Sequence, residues 1–282
     1  MSDQISTSEL RATWEAAASG WAKWEGEISR NLVNATETLL DMANVSSRMR
    51  VLDLACGAGS QTLRAAERVG ESGRVVACDI SDEMLKHLGV NAERAGLNNI
   101  ETLRSAAEEL TGAELSFDAS ISRLGLMLFA SPQNALSAVQ TVLKPGARFA
   151  ALVFTTPDKH PFFAQSMAIL LRHARKPPPV PGQPGLFALG GSNVLEGLLS
   201  DSGFVDVKMA TVGASLRLAS ADDALAMMQQ AAGAYRAVIA DLSDDAKADA
   251  LAEVRDFIGQ FENETGFETE LEFLIGSGAT PA

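Results

Sequence analysis

The sequence predicts an α/β fold: a doubly wound, mostly parallel sheet with helical cap elements. Three observations carry that expectation. Between Met49 and Phe154 short apolar strands alternate with amphipathic helices, the pattern of successive βαβ units. The first strand, "MRVLDLAC", is apolar almost throughout, as a strand buried on both faces requires. It runs into the small residues of "GAGS" and then into a helix, which is how a ligand-binding turn at the end of a parallel strand looks.

The elements follow in order. Leu10, Trp14, Ala17, Ala18 and Trp21 recur at i, i+4, i+7, i+8 and i+11, one apolar helical stripe. Ile28, Leu32, Ala35, Leu39 and Met42 continue it on a second helix, so residues 1–44 are expected as N-terminal helices able to act as a lid. Residues 45–282 then form the main domain. "SQTLRAAERV" is a helix with Leu63, Ala66 and Val69 on one side, and "GRVVACDI" a second strand. Ser81 is placed to N-cap the next helix, with Asp82 and Glu83 in its first turn and Gly96 at its end. "NIETLRS" and "FDASISRLGLML" are the third and fourth strands, "PQNALSAVQTVL" a helix, "KPG" a turn and "ARFAALVF" the fifth strand. Cap insertions are expected at about 157–191 and 220–268; the first ends in a loop whose five prolines, between 177 and 184, exclude helix. Between the caps, "SNVLEGLLSDSGF" is a helix stopped at Gly203 and "VDVKMATVG" a sixth strand; "ETELEFLIGSG" is a last strand.

Composition narrows the function. Lys plus Arg number 23 against 36 Asp plus Glu, a net charge of −13 that repels phosphate backbones and argues against nucleic acid. The two cysteines, Cys56 and Cys78, sit at strand ends and read as buried, reduced thiols of a cytoplasmic protein. The opening "MSDQISTSEL" has no basic and apolar leader, and no apolar run reaches membrane-spanning length.

The chemistry lies at the strand ends. Gly57 and Gly59 let backbone N–H groups approach a ligand closely. The turn lacks the third glycine of a dinucleotide fingerprint and the Gly-Lys-Ser/Thr of a P-loop. Asp53, just before the turn, would repel a pyrophosphate and favour a cation or amine. Asp79 ends the second strand 20 residues after Gly59, where an acid accepts hydrogen bonds from the two hydroxyls of a ribose. One acid for a positive tail and one for a ribose fit S-adenosylmethionine, an adenosine ligand without phosphate.

With these residues the chain resembles the class I S-adenosylmethionine-dependent methyltransferases, in the small-molecule branch that includes the ubiquinone/menaquinone C-methyltransferases. "VLDLACGAG" is similar to their first motif and "VVACDIS" to their second; "FDASISRLGLMLF" and "LKPGARFAALVF" resemble their fourth and fifth strands. The resemblance covers residues 45 to 155. It implies a Rossmann-like sheet of seven strands and transfer of a methyl group to a small molecule by in-line displacement; the cap residues Phe162, Phe163, Phe187, Met227, Met228 and Tyr235 point to an apolar or aromatic acceptor. It implies cofactor contacts at Asp53, Gly57, Gly59, Gln61, Asp79, Ile80, Met84 and Ser122, with Ile80 beside the adenine. Two positions depart from the family. Ala55 stands where its first glycine often lies, and Ala106 where an acid usually holds the adenine amino group, leaving the backbone of Ala106 and Ala107 to serve. Two other classes stay open: a nicotinamide oxidoreductase on a similar sheet, opposed by Asp53 and the missing glycine, and a non-catalytic S-adenosylmethionine-binding module, favoured by Ala106.

Candidates beyond the cofactor are fewer. His160 and Tyr235 are of the right type for a general base, as is His173; Tyr235 fits a core position equally well. Arg123 can orient an anionic acceptor or pair with a core carboxylate. Trp21, Phe162 and Phe187 are candidate pocket residues, whereas Trp14 reads as core. Cys56 has no nearby histidine and reads as a packed thiol. No spacing of His, Cys and Asp suggests a metal.

Overall fold

The structure, a computed structural model, describes residues 6–111, 116–180 and 182–282. Pro181 of the proline-rich loop and the first five residues lie outside them. Among the described residues eight strands form one sheet: β1 (Arg50–Leu54), β2 (Arg74–Asp79), β3 (Ile100–Arg104), β4 (Phe117–Arg123), β5 (Leu143–Phe154), β6 (Val205–Leu218), β7 (Glu262–Asn263) and β8 (Gly266–Ala279). The order is β3-β2-β1-β4-β5-β8-β6, with β7 paired to β8. β1 to β5 run parallel, and β8 is antiparallel to both β5 and β6. The fold is therefore a mostly parallel, doubly wound sheet of the Rossmann-like kind. The strand order reverses at β1, between β2 and β4, and such a switch point opens a crevice at the carboxyl ends of the strands.

The helices are α1 (Thr7–Asn31), α2 (Val33–Met42), α3 (Ser60–Val69), α4 (Asp82–Arg94), α5 (Pro132–Val142), α6 (Pro161–His173), α7 (Val194–Asp201), α8 (Ala221–Ala231), α9 (Gly233–Ile239) and α10 (Asp244–Ile258). Ser6 starts α1 through a reciprocal capping box with Glu9. Ser81 caps α4 by accepting from the Met84 N–H, as its position in the sequence requires. α1 packs on α8 and α4, and α6 packs on α9 and α10. None of the described helices is long and apolar enough to cross a membrane.

The structure differs from the sequence reading in five places. Ile28, expected on the second helix, belongs to α1, and β6 continues past Gly213 to Leu218. "KPG" is not a separate turn but an excursion within β5: Phe117 pairs with Leu143 and Ala119 with Arg148, so two steps of β4 face five of β5. Gly146, at φ +74°, makes that bulge possible. The fourth strand stops at Arg123, because Leu124 turns to φ +61° and sends residues 124–130 across the top of the sheet. The second cap ends before residue 268: Glu262–Asn263 and Gly266 onward are strand, and the two-residue β7 is the addition to the seven strands expected.

Candidate active site

The cavity sits at the switch point. Ala55, Gly57, Asp79 and Ile80 bring to it the ends of β1 and β2, Met84 the start of α4, and Ser105 to Glu108 the segment after β3. Arg123, Leu124, Gly125 and Leu128 to Ala130 form the side after β4. α1 closes the cavity with Thr7, Leu10, Trp14 and Trp21. The two indoles meet edge to face at 6.4 Å.

Local sequence explains this geometry. Ala55 adopts φ +53°, a conformation that glycine takes freely and alanine does not. Its methyl is accommodated because Gly125 faces it; a Cβ on Gly125 would lie 2.5 Å from the Ala55 Cβ. Gly57 is also left-handed, at φ +56°, and a Cβ there would lie 3.2 Å from Trp21 Nε1. The tryptophan therefore covers the glycine turn closely.

Asp79 ties this turn together. Its Oδ2 accepts the Gly57 N–H at 2.9 Å and its Oδ1 the Ser81 N–H at 2.9 Å. Burial raises its carboxyl pKa, against the lowering by these backbone donors. The Ile80 N–H also favours the carboxylate; with about four acceptor positions in all, capacity remains for a further donor.

Asp53 is placed otherwise. It is fully buried and does not reach the cavity. Its Oδ2 accepts the Thr62 hydroxyl at 2.5 Å and its Oδ1 the Gln61 amide at 3.3 Å, which anchors α3 to β1. Burial pushes its pKa up to about 7, while the bonds from Thr62 and Gln61 and the charge of Arg123 oppose the rise. This gives a signed prediction. Between the unfolded carboxyl value and about 7 the folded state holds a proton that the unfolded state has lost, so stability falls as pH rises through that window. Asp53→Asn should remove this component. Urea unfolding at pH 5 and pH 8 should show a smaller loss for the variant than for the wild type, and equal losses would contradict the assignment.

Arg123 is buried, and burial lowers its pKa. Of its two anticipated roles, the core pairing is made: Nη2 lies 3.8 Å from Glu25 Oε1, Nη1 donates to Thr36 Oγ1 at 3.2 Å, and Nη2 donates to Ser60 Oγ. Cys56 and Cys78 are free and buried; burial raises both thiols, Cys78 to about 12.

A family model described as a methyltransferase domain matches residues 45–171. Over 123 residues the chain is 37% identical to the ubiquinone/menaquinone biosynthesis C-methyltransferase UbiE of Klebsiella pneumoniae, an alignment covering 43% of this chain and 49% of that protein. The chain thus spans about half the length of the curated relatives it matches. The YcgJ protein of Bacillus subtilis superposes with a TM-score of 0.59 at 18% identity, covering 88% of this chain and 99% of that one. Phosphoethanolamine N-methyltransferase 2 of Haemonchus contortus, solved with phosphomonomethylethanolamine and S-adenosylhomocysteine, superposes at 0.60 and 15% identity, covering 99% of this chain and 61% of that one. At these identities the likeness is one of fold.

The matched residues 45–171 supply the cavity's floor and sides, and α1, which lies outside them, supplies the cover. Of the residues singled out from sequence, Gly57, Asp79, Ile80, Met84, Ala106, Ala107, Arg123 and Trp21 meet at this one cavity. Trp14, read as core, lines it too. Gly59, Gln61 and Ser122 lie behind the lining: a Cβ on Gly59 would strike Leu88 at 2.7 Å, Gln61 holds Asp53 and the Cys56 carbonyl, and Ser122 is fully buried in β4. The three proposed bases stand elsewhere. His173, at the end of α6, sets its Nε2 2.8 Å from Glu253 Oε2. His160 is fully buried, its Nδ1 3.0 Å from the Thr156 carbonyl and its Nε2 2.8 Å from the Glu272 carbonyl, so it fastens the start of α6 to β8. Tyr235 donates its hydroxyl to the Phe163 carbonyl at 2.9 Å, and burial raises its pKa out of the range of a base. Phe162 is fully buried core, and Phe187 packs on Phe154 and His160 rather than on the cavity.

Sequence reasoning missed the fastening of α1. Glu15 accepts from the Ser81 hydroxyl and the Asp82 N–H, both at 2.9 Å, and so caps α4 across 66 to 67 residues of chain. Glu25 accepts the Ser60 N–H at 2.8 Å and so caps α3. An acid within a long polar helix carries no sequence signal for such a partner. Among the described residues no cluster of His, Cys, Asp and Glu could hold a metal ion.

Proposed function

We propose that the chain transfers a methyl group from S-adenosylmethionine to a small, apolar or aromatic molecule. Asp79 carries this reading. It stands at the mouth of β2 with acceptor capacity left for a ribose hydroxyl, and Ile80, Met84, Ala106 and Ala107 beside it form an apolar slot suited to adenine. The Asp79 carboxyl holds the Gly57 N–H and sets negative charge against the glycine turn, and the turn lacks the third glycine of a dinucleotide fingerprint. Such a setting suits a phosphate-free adenosine ligand better than a dinucleotide. The net charge of −13 supports a small acceptor over nucleic acid. The two free thiols fit a reducing compartment such as the cytoplasm.

When bound, S-adenosylmethionine supplies an electrophilic methyl group on a sulfonium. The chain's own share is alignment and the exclusion of water. Trp14, Trp21 and Leu10 cover the cavity, while Leu124, Leu128 and Phe129 offer the acceptor an apolar wall. The described lining contains neither imidazole nor phenol, and the Cys78 thiol keeps its proton. Glu108 is the lining carboxylate left to receive a proton from an acceptor; one oxygen already accepts the Ser131 N–H at 3.1 Å.

Calorimetry with S-adenosylhomocysteine and NAD, followed by methyl-labelled S-adenosylmethionine and a metabolite extract, tests the proposal. Binding of S-adenosylhomocysteine and one labelled apolar product are expected. NAD binding alone would favour the oxidoreductase, and cofactor binding without a labelled product the non-catalytic module. Ala106 allows a finer check. It is buried and lines the slot, so Ala106→Asp should give the adenine amino group an acceptor and tighten S-adenosylhomocysteine binding by about 2- to 10-fold. Weaker binding with the fold intact would mean that the carboxylate meets no amino group there and only bears its desolvation.

A further inference from the structure

We infer that Glu25 of α1 holds the place of the cofactor's tail carboxylate, so that cofactor binding exchanges one carboxylate for another and frees α1; this rests on the cofactor reading above. Four observations lead there. Glu25 is 6% exposed, a charged side chain taken almost entirely out of water. Its Oε1 takes the Ser60 N–H at 2.8 Å, the first amide of α3 and directly after the glycine turn. The same oxygen lies 3.8 Å from the guanidinium of Arg123, a residue that also lines the cavity. Its Oε2 is buried with no hydrogen-bond partner. A carboxylate with one oxygen satisfied and one orphaned is a poor permanent occupant of a buried site, because the orphan bears the full cost of desolvation.

The surroundings are built for an anion. An N–H-bearing helix start and a buried guanidinium both favour negative charge. The cofactor's carboxylate lies at the end of its amino-acid tail, beyond the sulfur. With the ribose on Asp79, that tail runs along the Gly57 turn toward Ser60 and Arg123, where Glu25 now stands. Two carboxylates cannot share that spot without mutual repulsion.

Trp21, four residues before Glu25 on the same face of α1, covers Gly57 where the tail must pass. Loss of the Glu25 contact and movement of Trp21 are therefore one motion. The same exchange makes α1 a reporter of tail occupancy: adenosine alone leaves Glu25 on Ser60, while the complete cofactor dislodges it.

The test compares S-adenosylhomocysteine with 5′-methylthioadenosine, which has the same adenosine and thioether but no amino-acid tail. Glu25→Gln keeps an acceptor for the Ser60 N–H and removes the charge. It should tighten S-adenosylhomocysteine by about tenfold, the lower end of what one hydrogen bond to a charged group carries, and leave 5′-methylthioadenosine unchanged. A wild-type measurement avoids any folding defect of the variant. Amides of α1 around Glu25 should lose hydrogen-exchange protection with S-adenosylhomocysteine and keep it with 5′-methylthioadenosine. Equal shifts for both ligands, weaker S-adenosylhomocysteine binding in Glu25→Gln, or an α1 that responds alike to both would overturn the inference. Wild-type protein that bound neither ligand would overturn the cofactor reading, and this inference with it.

Discussion

Replacing Asp79 with alanine is expected to weaken S-adenosylhomocysteine binding by roughly 10- to 100-fold, the span of one or more hydrogen bonds to a charged group. Two losses combine. The ribose loses its acceptor, and the N–H groups of Gly57 and Ser81 lose the carboxylate that sets the turn. Asp79→Asn separates them. It keeps one carbonyl oxygen for a backbone donor but presents an NH₂ where the second acceptor stood, so its loss should be smaller. Calorimetry gives both affinities, and circular dichroism checks that each variant folds. Unaltered binding by a folded Asp79→Ala protein would end the assignment of this acid to the ribose.

Phe162→Ala is expected to lower stability by about 3–5 kcal/mol, the usual loss when a large buried aromatic is truncated. The sequence placed Phe162 among candidate pocket residues. In the structure it is fully buried, with its ring 4.6 Å from Phe163 and 5.1 Å from Phe267, where it joins α6 to β8. The variant should therefore unfold at markedly lower urea while its folded fraction binds S-adenosylhomocysteine normally. If acceptor preference changed and stability did not, the pocket role would be restored and this packing account would fail.

The contrast between these residues shows what a sequence can disclose. β1 to β5 are legible because strands buried on both faces must be apolar in unbroken runs, and the helices between them must carry one apolar stripe. Asp79, Ile80 and Met84 are legible for a topological reason: a parallel sheet delivers the residue after each strand to the same crevice. Ala106 and Ala107 arrive by that route after β3. His160 and Tyr235 could only be singled out by residue type, and type says nothing about whether a ring nitrogen or a hydroxyl already has a partner. Both have one: the Thr156 and Glu272 carbonyls for the histidine, the Phe163 carbonyl for the tyrosine. Asp53 misleads for a related reason. Its place before the turn is that of a ligand contact, yet Thr62 and Gln61, in the first turn of α3, satisfy it inside the protein. The grip of Glu15 and Glu25 on α4 and α3 was out of reach because it depends on where α1 docks. Docking is decided by contacts with α8 and α4, which lie far along the chain from α1.

The place of β8 bears on how the protein is made. β6 pairs with no strand but β8 along its described length, and β8 also completes the exposed side of β5. A ribosome releases β6 well before β8, with α8, α9 and α10 emerging in between. During that interval the nascent chain presents two open sheet borders, one on each side of a gap the width of a single strand. Such borders invite pairing with other chains. β8 must then enter between two strands already present, a late, non-local step of the kind that slows folding. The parallel half, with its cofactor crevice, can meanwhile take shape from βαβ units formed one after another.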